Sequence, residues 1–342
     1  MTIRNVPAEL RFLLAALVVF FLLYVADSML NRYIVFILIL MGVFSIATVS
    51  LNLTNGYTGL FSLGHAAFMS IGAYTSILLT FPVTMRTAYN LPLLPPLLGG
   101  PEGHWPFFPA LVAGGVLSSF AAVIIGAPVL RLRGHYLSVA SLGFMVIVAT
   151  FAKTLRGVTR GPMGIHGIPS HTDIYWTYSW LFITLYVVWR IVNSRFGRAM
   201  MAVRDDETAA QVLGIYPMKY KLMSFVIGAF FAGVSGGLYA HLTKAIRPQE
   251  FYFVLTFQIV VMLVVGGMGT MAGPIVGAVS LTALRYSLKP VEEGLGLYGF
   301  IELVYAALLI IIMLWRPQGI IGARSFAGKQ LIGLTRVREK EV

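Results

Sequence analysis

Stretches of about twenty consecutive apolar residues recur along the whole chain, and no other feature limits its fold so strongly. They fall at about 10–30, 33–51, 66–81, 107–129, 136–155, 176–192, 222–241, 254–265, 273–288 and 301–315. Inside hydrocarbon a single uncharged run can satisfy its own backbone only as a helix. The expected fold class is an all-α polytopic membrane protein of about ten transmembrane helices with Gly-interrupted segments. Of the 342 residues, 58% are hydrophobic and 11% charged. A typical soluble domain carries roughly 25% charged residues, so this chain has too few to cover a water-facing surface. The run 254–265 is short for a full crossing and reads as a half-span or part of a bent helix. The first run follows Arg4 and Arg11 and ends near Ala26-Asp27-Ser28, which imitates a signal-peptide cleavage site. A second run begins almost at once at Tyr33, so the first reads as a retained span.

The net charge of +12 raises the question of nucleic acid. The basic residues gather in loops and tail, which anionic headgroups and membrane orientation explain without nucleic acid. Arg131 and Arg133, the polar stretch 194–221, and a tail with Arg316, Arg324, Lys329, Arg336, Arg338 and Lys340 fall on one face together with the N-terminus. The positive-inside rule assigns that face, and both termini, to the cytoplasm. The opposite face receives 82–106, 156–175, 243–253 and Lys289, Glu292 and Glu293. The organisation expected is a transmembrane unit over 1–322 and a basic cytoplasmic tail over 323–342. With no cysteine, disulfides, thiolate metal sites and cysteine nucleophiles are excluded.

The stretch 194–221 is the one long polar interruption. It sets Arg195, Arg198, Arg204, Lys219 and Lys221 against Asp205, Asp206 and Glu207. A short helix fits within it. Asp205 or Asp206 can cap its start and Gly214 can stop it, with Pro217 just beyond. Ala209, Val212 and Leu213 then form one apolar stripe. Such a helix suits docking into a groove of another protein; a solvated loop on the headgroups is the alternative.

Two stretches break the helical pattern inside apolar sequence: Asn52 to His65, with Gly56, Gly59 and Gly64, and Gly266 to Pro274. Irregular backbone at membrane depth persists only where protein buries it or water reaches it, and Gly-interrupted segments in both halves of a transporter point to the permeation path. Asn52, Asn55, Ser62, Gly64, His65, Gly267, Gly269 and Thr270 are the translocation-path candidates; two ordinary interfacial loops are the alternative. Ser62 is placed to cap a half-helix starting near Leu63 or Gly64, whose free amides would favour a carboxylate. His65 in such a stretch reads as a packed residue rather than a ligand or proton carrier. Rows of small residues recur at Gly114, Ser118, Ala122 and Gly126, at Ala229, Gly233 and Gly237, and at Gly269, Gly273 and Gly277. They mark close helix contacts, mostly within the chain.

The chemistry of enzymes and ion-coupled carriers is thinly represented. Carboxylates, Arg and Lys are nearly absent from the spans; Arg285, near a span end, reads as a snorkelling side chain. His166, His171 and Asp173 share a loop, at a spacing that is a weak metal signal. No Gly-x-x-x-x-Gly-Lys-Ser/Thr loop occurs, so the usual phosphate cradle for ATP is missing and energy must come from a partner or an ion gradient.

The stretches LNLTNGYTGLFSLGHAAFMSIGAY, RGPMGIHGIP, SRFGRAMMAVRDDETAAQVLGI, VVGGMGTMAGPIVGA and RPQGIIG, in that order from about Leu51 to Gly322, resemble the LivM-type permease subunits of ATP-binding-cassette importers for branched-chain amino acids. Permeases of such importers carry a cytoplasmic Glu-Ala-Ala signature followed three residues on by Gly. Ala209, Ala210 and Gly214 fit it, while Thr208 stands in place of the Glu, with Glu207 one position earlier. The resemblance implies that 194–221 is an ATPase-coupling segment using Arg204, Asp205, Asp206, Glu207, Ala209, Ala210 and Gly214. It further implies a bacterial inner-membrane location, ATP-binding-cassette ATPase subunits that hold ATP and Mg, a homologous LivH-type permease and a periplasmic substrate-binding protein. No cofactor and no catalytic or metal residue is expected on this chain. Leucine, isoleucine and valine are the implied substrates; relatives of the same architecture serve urea, short amides or aromatic acids.

Overall fold

The computed structural model describes residues 19–20, 23–89, 105–132, 134–296, 299–316 and 318–321. The basic tail 323–342, Arg133 and most of the first apolar run lie outside them. The other nine apolar runs are helices, and the protein is a nearly all-helical polytopic membrane protein. Helix α1 spans Arg32–Asn52 and continues as one π-helical turn, Leu53–Tyr57. Then come α2 (His65–Thr80), the short α3 (Val83–Ala88), α4 (Phe107–Val129), α5 (His135–Thr154) and the single turn α6 (Arg156–Thr159). Next are α7 (Ile174–Val192), α8 (Arg195–Asp205), α9 (Glu207–Val212) and α10 (Pro217–Thr243). Helices α11 (Phe253–Gly266), α12 (Gly273–Leu295) and α13 (Phe300–Trp315) close the chain. Among the described residues, 32–57, 107–129, 136–154 and 217–243 are each long and apolar enough to cross a bilayer unaided. Helix α11 has 14 residues and follows a 3-10 turn, Pro248–Phe251, whose Phe251 is buried. The short run is thus a separate short apolar helix.

Helix α10 is the hub, flanked by α2 and α4. The approach is backbone to backbone, because a Cβ at Gly72 would overlap the backbone of Gly233, and one at Gly236 that of Met69. Ser118 Oγ donates to Phe68 O (2.9 Å) and a Cβ at Gly233 would strike the Ser118 side chain. The first two small-residue rows therefore pack within the chain. The third does too: a Cβ at Gly277 would meet Met262 O on α11. With no water between helices, hydroxyls also tie them to one another. Ser235 Oγ donates to Val43 O (2.9 Å), Tyr178 OH to Leu38 O (3.1 Å) and Tyr305 OH to Leu281 O (2.6 Å).

The outer surfaces of α4 and α5 stay apolar and exposed, with Phe120, Ile124, Val139 and Phe151 among them, as a lipid-facing or partner-facing wall requires. At one end of the bundle the strand β1 (Ile165–His166) pairs antiparallel with β2 (Ala245–Ile246), Ile165 opposite Ile246. Gly164, at φ +72°, lets the strand begin against Ile246 O where a side chain would collide. Near the same end the fully buried Arg86 folds back on α2. Its Nε donates to Phe81 O (2.8 Å) and its Nη2 to Leu78 O, so a guanidinium satisfies carbonyls that the helix end leaves open.

Candidate functional site

At the other end of the bundle, α7 stops at Val192 and the chain turns into two short helices. Ser194 caps α8, accepting from Phe196 N (3.1 Å). Asp206 caps α9 through a single carboxylate oxygen that accepts from Thr208 N (2.8 Å) and Ala209 N (2.9 Å). Gly214 ends the segment at φ +79°. Asp206 is thus the cap and Gly214 the stop, as the residue types suggest, but a further helix, α8, precedes them. The polarity of 195–205 hides that helix, since its apolar face is narrow: Gly197, Ala199, Met200 and Val203 are the buried positions.

The residues of α9 divide sharply. Ala210 is buried against the bundle. Val212 and Leu213 are 84% and 78% exposed, and Ala209 is exposed beside them. Glu207, next to the position of the signature acid, is spent internally: its carboxylate meets Lys221 Nζ at 2.7 Å, and Lys221 is buried. A groove of about 540 Å³ runs alongside. It is lined by Thr58, Gly59 and Phe61, by Arg204 to Glu207, and by Leu132, Gly134, Leu137 and Ser138.

Arg204 joins this segment to both glycine breaks. Its Nη1 donates to Gly56 O (3.2 Å), and Nε and Nη2 donate to Asp205 (3.0 and 2.8 Å). Gly59 and Gly269 both press against its side chain so closely that a Cβ on either would touch it. The two breaks also meet each other directly. Asn52 Nδ2 donates to Thr270 O (2.8 Å) and Asn52 Oδ1 accepts from Gly269 N (2.8 Å), so one amide side chain clamps the middle of the second break. Thr270 in turn receives Gly273 N on its hydroxyl (3.0 Å), fixing the start of α12. Gly267, at φ +118°, lies against the backbone of Ile321, and Ile320 N and Ile321 N donate to Val265 O and Gly266 O. The chain just beyond α13 is thereby pinned on the second break.

The rest of the first break forms a separate buried cluster. Asn55 Nδ2 donates to Ser62 O and Ser62 N donates back to Asn55 Oδ1, both at 3.2 Å. His65 Nε2 lies 2.9 Å from Ser50 Oγ, a packed histidine with a hydroxyl partner. Ser62 is not the helix cap: α2 begins at His65 with Gly64 before it. The amides expected to stand free are taken by neighbouring helices. Leu63 N donates to Ser141 Oγ on α5 (2.9 Å), and Ala66 N to Thr256 Oγ1 on α11 (3.3 Å). A close approach of α5, whose Ser141 O sits against Gly64, supplies the partner that the local sequence does not contain. Elsewhere, His166 turns its Nε2 to Met163 O (3.0 Å) and His171 packs its ring on Phe107. No group of three metal-ligating side chains occurs among the described residues.

A membrane bundle with an exposed apolar helix at one end, linked through an arginine to two glycine breaks, matches known proteins over most of its length. The family model described as branched-chain amino acid transport system, permease component, covers residues 33–315. The chain belongs to that permease family. The permease is similar to the high-affinity branched-chain amino acid transport system permease protein LivM of Escherichia coli, 31% identical over 327 residues, 86% of this chain and 71% of the relative. The LivM protein of Salmonella typhimurium is also 31% identical, over 82% of this chain and 68% of its own. The probable LivM protein of Methanocaldococcus jannaschii is 26% identical over 83% of this chain and 92% of its own. A LivH permease protein of Escherichia coli matches a shorter part, 33% identical over 38% of this chain and 40% of its own. No solved structure gives a significant match.

The linkage through Asn52 and Arg204 joins residues 217 and 148 positions apart. Glycines, and in the first break the polar Asn52, Thr54, Asn55 and Ser62, flag the stretches in the sequence, but nothing local announces the contact. Arg285, partly exposed near a span end, donates from its Nη1 to Gln258 Oε1 on α11 at 2.6 Å, a contact that nothing local announces.

Proposed function

We propose that the permease is the membrane conduit of an ATP-driven importer for leucine, isoleucine and valine, working with a LivH-type permease, two ATPase subunits and a periplasmic binding protein. The observation that carries this reading is the exposed apolar pair Val212 and Leu213 at the end of the capped helix α9, which follows directly on α8, whose Arg204 reaches both glycine breaks. A monomeric surface helix gains nothing from leaving two large aliphatic side chains in water, so a partner groove is the natural place for them. In this proposal the ATPase receives α9 on the cytoplasmic side of the bacterial inner membrane, where both termini lie. ATP and Mg stay on the ATPase. Closure of the nucleotide sites pulls α8 and α9. Arg204 passes that displacement to Gly56 and Gly269, where φ-permissive backbone can yield. The breaks then act as hinges of the conduit, with Asn52, Gly267, Gly269 and Thr270 as their moving parts. Asn55, Ser62, Gly64 and His65 hold the base of α2.

Reconstitution tests the reading. In proteoliposomes the permease alone should carry no leucine, and the assembled complex should do so only with ATP. Leu213→Glu should leave insertion intact and abolish uptake. Gradient-driven uptake by the lone chain would refute the proposal.

A further inference from the structure

We infer that a second cavity, at the end of the bundle opposite α9, is a binding site for a free aliphatic α-amino acid, held by Arg285 and Gln258 at its carboxylate and by Glu302 and Glu250 at its ammonium. The inference rests on the transport reading and adds to it a site within this chain. The cavity measures about 530 Å³ and lies between α1, the end of α10, α11, α12 and the start of α13. That is within the roughly 300–1,000 Å³ of small-molecule sites. Its walls are of two kinds. Leu40, Phe44, Leu255 and Ile301 give it an apolar side. Gln258, Arg285, Glu250, Glu302 and the Lys289–Glu293 pair give it a polar and charged one.

Gln258 points to an occupant. It is 5% exposed, and its Nε2 has no hydrogen-bond partner. The guanidinium of Arg285 can only donate, so it fixes the amide with Oε1 toward itself and leaves the NH₂ as a free donor. A buried donor without a partner costs free energy, and a site that receives an acceptor removes that cost. Arg285 is itself incompletely matched. Its Nη2 is 3.8 Å from Glu302 Oε1, beyond hydrogen-bond reach. A wide ion pair thus stands next to an idle amide donor and an aliphatic wall. An aliphatic α-amino acid has the complementary pattern: an acceptor group and a cation on adjacent atoms, with a hydrocarbon side chain. A carboxylate alone would compete with Glu302 for Arg285, and an amine alone would leave the Gln258 amide without an acceptor.

The test uses the complete transporter in lipid nanodiscs, without its binding protein, with tritiated leucine as the probe. Wild type should bind leucine, with unlabelled leucine competing far better than 4-methylpentanoate or 3-methylbutylamine. Arg285→Met should weaken leucine binding at least tenfold. Gln258→Glu places a carboxylate where the ligand's should sit, so leucine should be lost while 3-methylbutylamine gains affinity. That change of preference would not arise from mere misfolding. Assembly is checked by co-purification of the partner subunits, and Gln258→Glu decides the matter should Arg285→Met fail to assemble. Unchanged leucine binding in both variants, or loss in Gln258→Glu without gain for the amine, overturns the inference. If wild type takes up leucine with ATP while these results fail, only the site is wrong. If wild type takes up no leucine at all, the transport reading falls with it.

Discussion

Replacing Asn52 by alanine isolates the contact between the two glycine breaks. The substitution removes the acceptor of Gly269 N and the donor to Thr270 O, both at 2.8 Å. Each lost bond leaves a backbone group unpaired, which costs about 1–3 kcal/mol when the group is buried. Gly269 and Thr270 are half-buried, so water recovers part of that and the lower end applies. Two groups at about 1 kcal/mol each lower the local opening free energy of the second break by about 2 kcal/mol, or roughly 30-fold in its open population. Hydrogen–deuterium exchange on the assembled complex reads this directly, because the Gly269 amide is itself a reporter. Exchange across Gly266 to Gly273 should speed about 30-fold, with the β1–β2 pairing unchanged. ATP hydrolysis should continue while leucine uptake falls, since the hinge has lost its stop. Unchanged exchange at Gly269 in a correctly assembled variant would refute the claim that Asn52 holds the breaks together.

Three further outcomes follow from the packing. Arg86→Ala opens the carbonyls of Leu78 and Phe81 at the end of α2, and at about 1.5–3 kcal/mol for each hydrogen bond to a charged group it should lower thermal stability in detergent, measured by tryptophan fluorescence. Gly72→Ala drives a methyl into the Gly233 backbone, and overpacking of this kind costs about 1–3 kcal/mol; an unchanged melting midpoint would show that α2 and α10 are not in backbone contact. Burial raises the Glu250 carboxyl above its ordinary value, with Arg247 opposing the rise. In the window between those two values the folded chain holds a proton that the unfolded chain has lost, so this group's contribution to stability declines as pH rises through it. Glu250→Gln should flatten that slope in melting midpoints taken between about pH 4 and pH 7.

What could be read from the residues alone follows from how local each signal is. Run length suffices for nine helices because a backbone in hydrocarbon has one way to pair with itself. The caps of α9 were legible for the same reason: Asp206 and Gly214 act within three or four positions of the helix they bound. The small-residue rows were legible as contacts, though not as to partner; that Gly72 faces Gly233 needs the fold. Ser62 misleads because it has a cap's chemistry, while the donors it would serve find Ser141 and Thr256 from two other helices. Arg285 reads as an interfacial residue near a span end, and nothing local shows that α11 brings Gln258 against it. The joining of the two breaks depends on Asn52 meeting residues more than two hundred positions away, and no periodicity encodes that.

The account stands on α9 as the place where the engine grips the conduit. A photoreactive benzophenone amino acid in place of Val212, whose side chain is 84% exposed, tests that place in intact cells. On illumination, the reading predicts a single covalent adduct between the permease and a nucleotide-binding ATPase subunit. An adduct with a periplasmic protein, or with lipid alone, would contradict it.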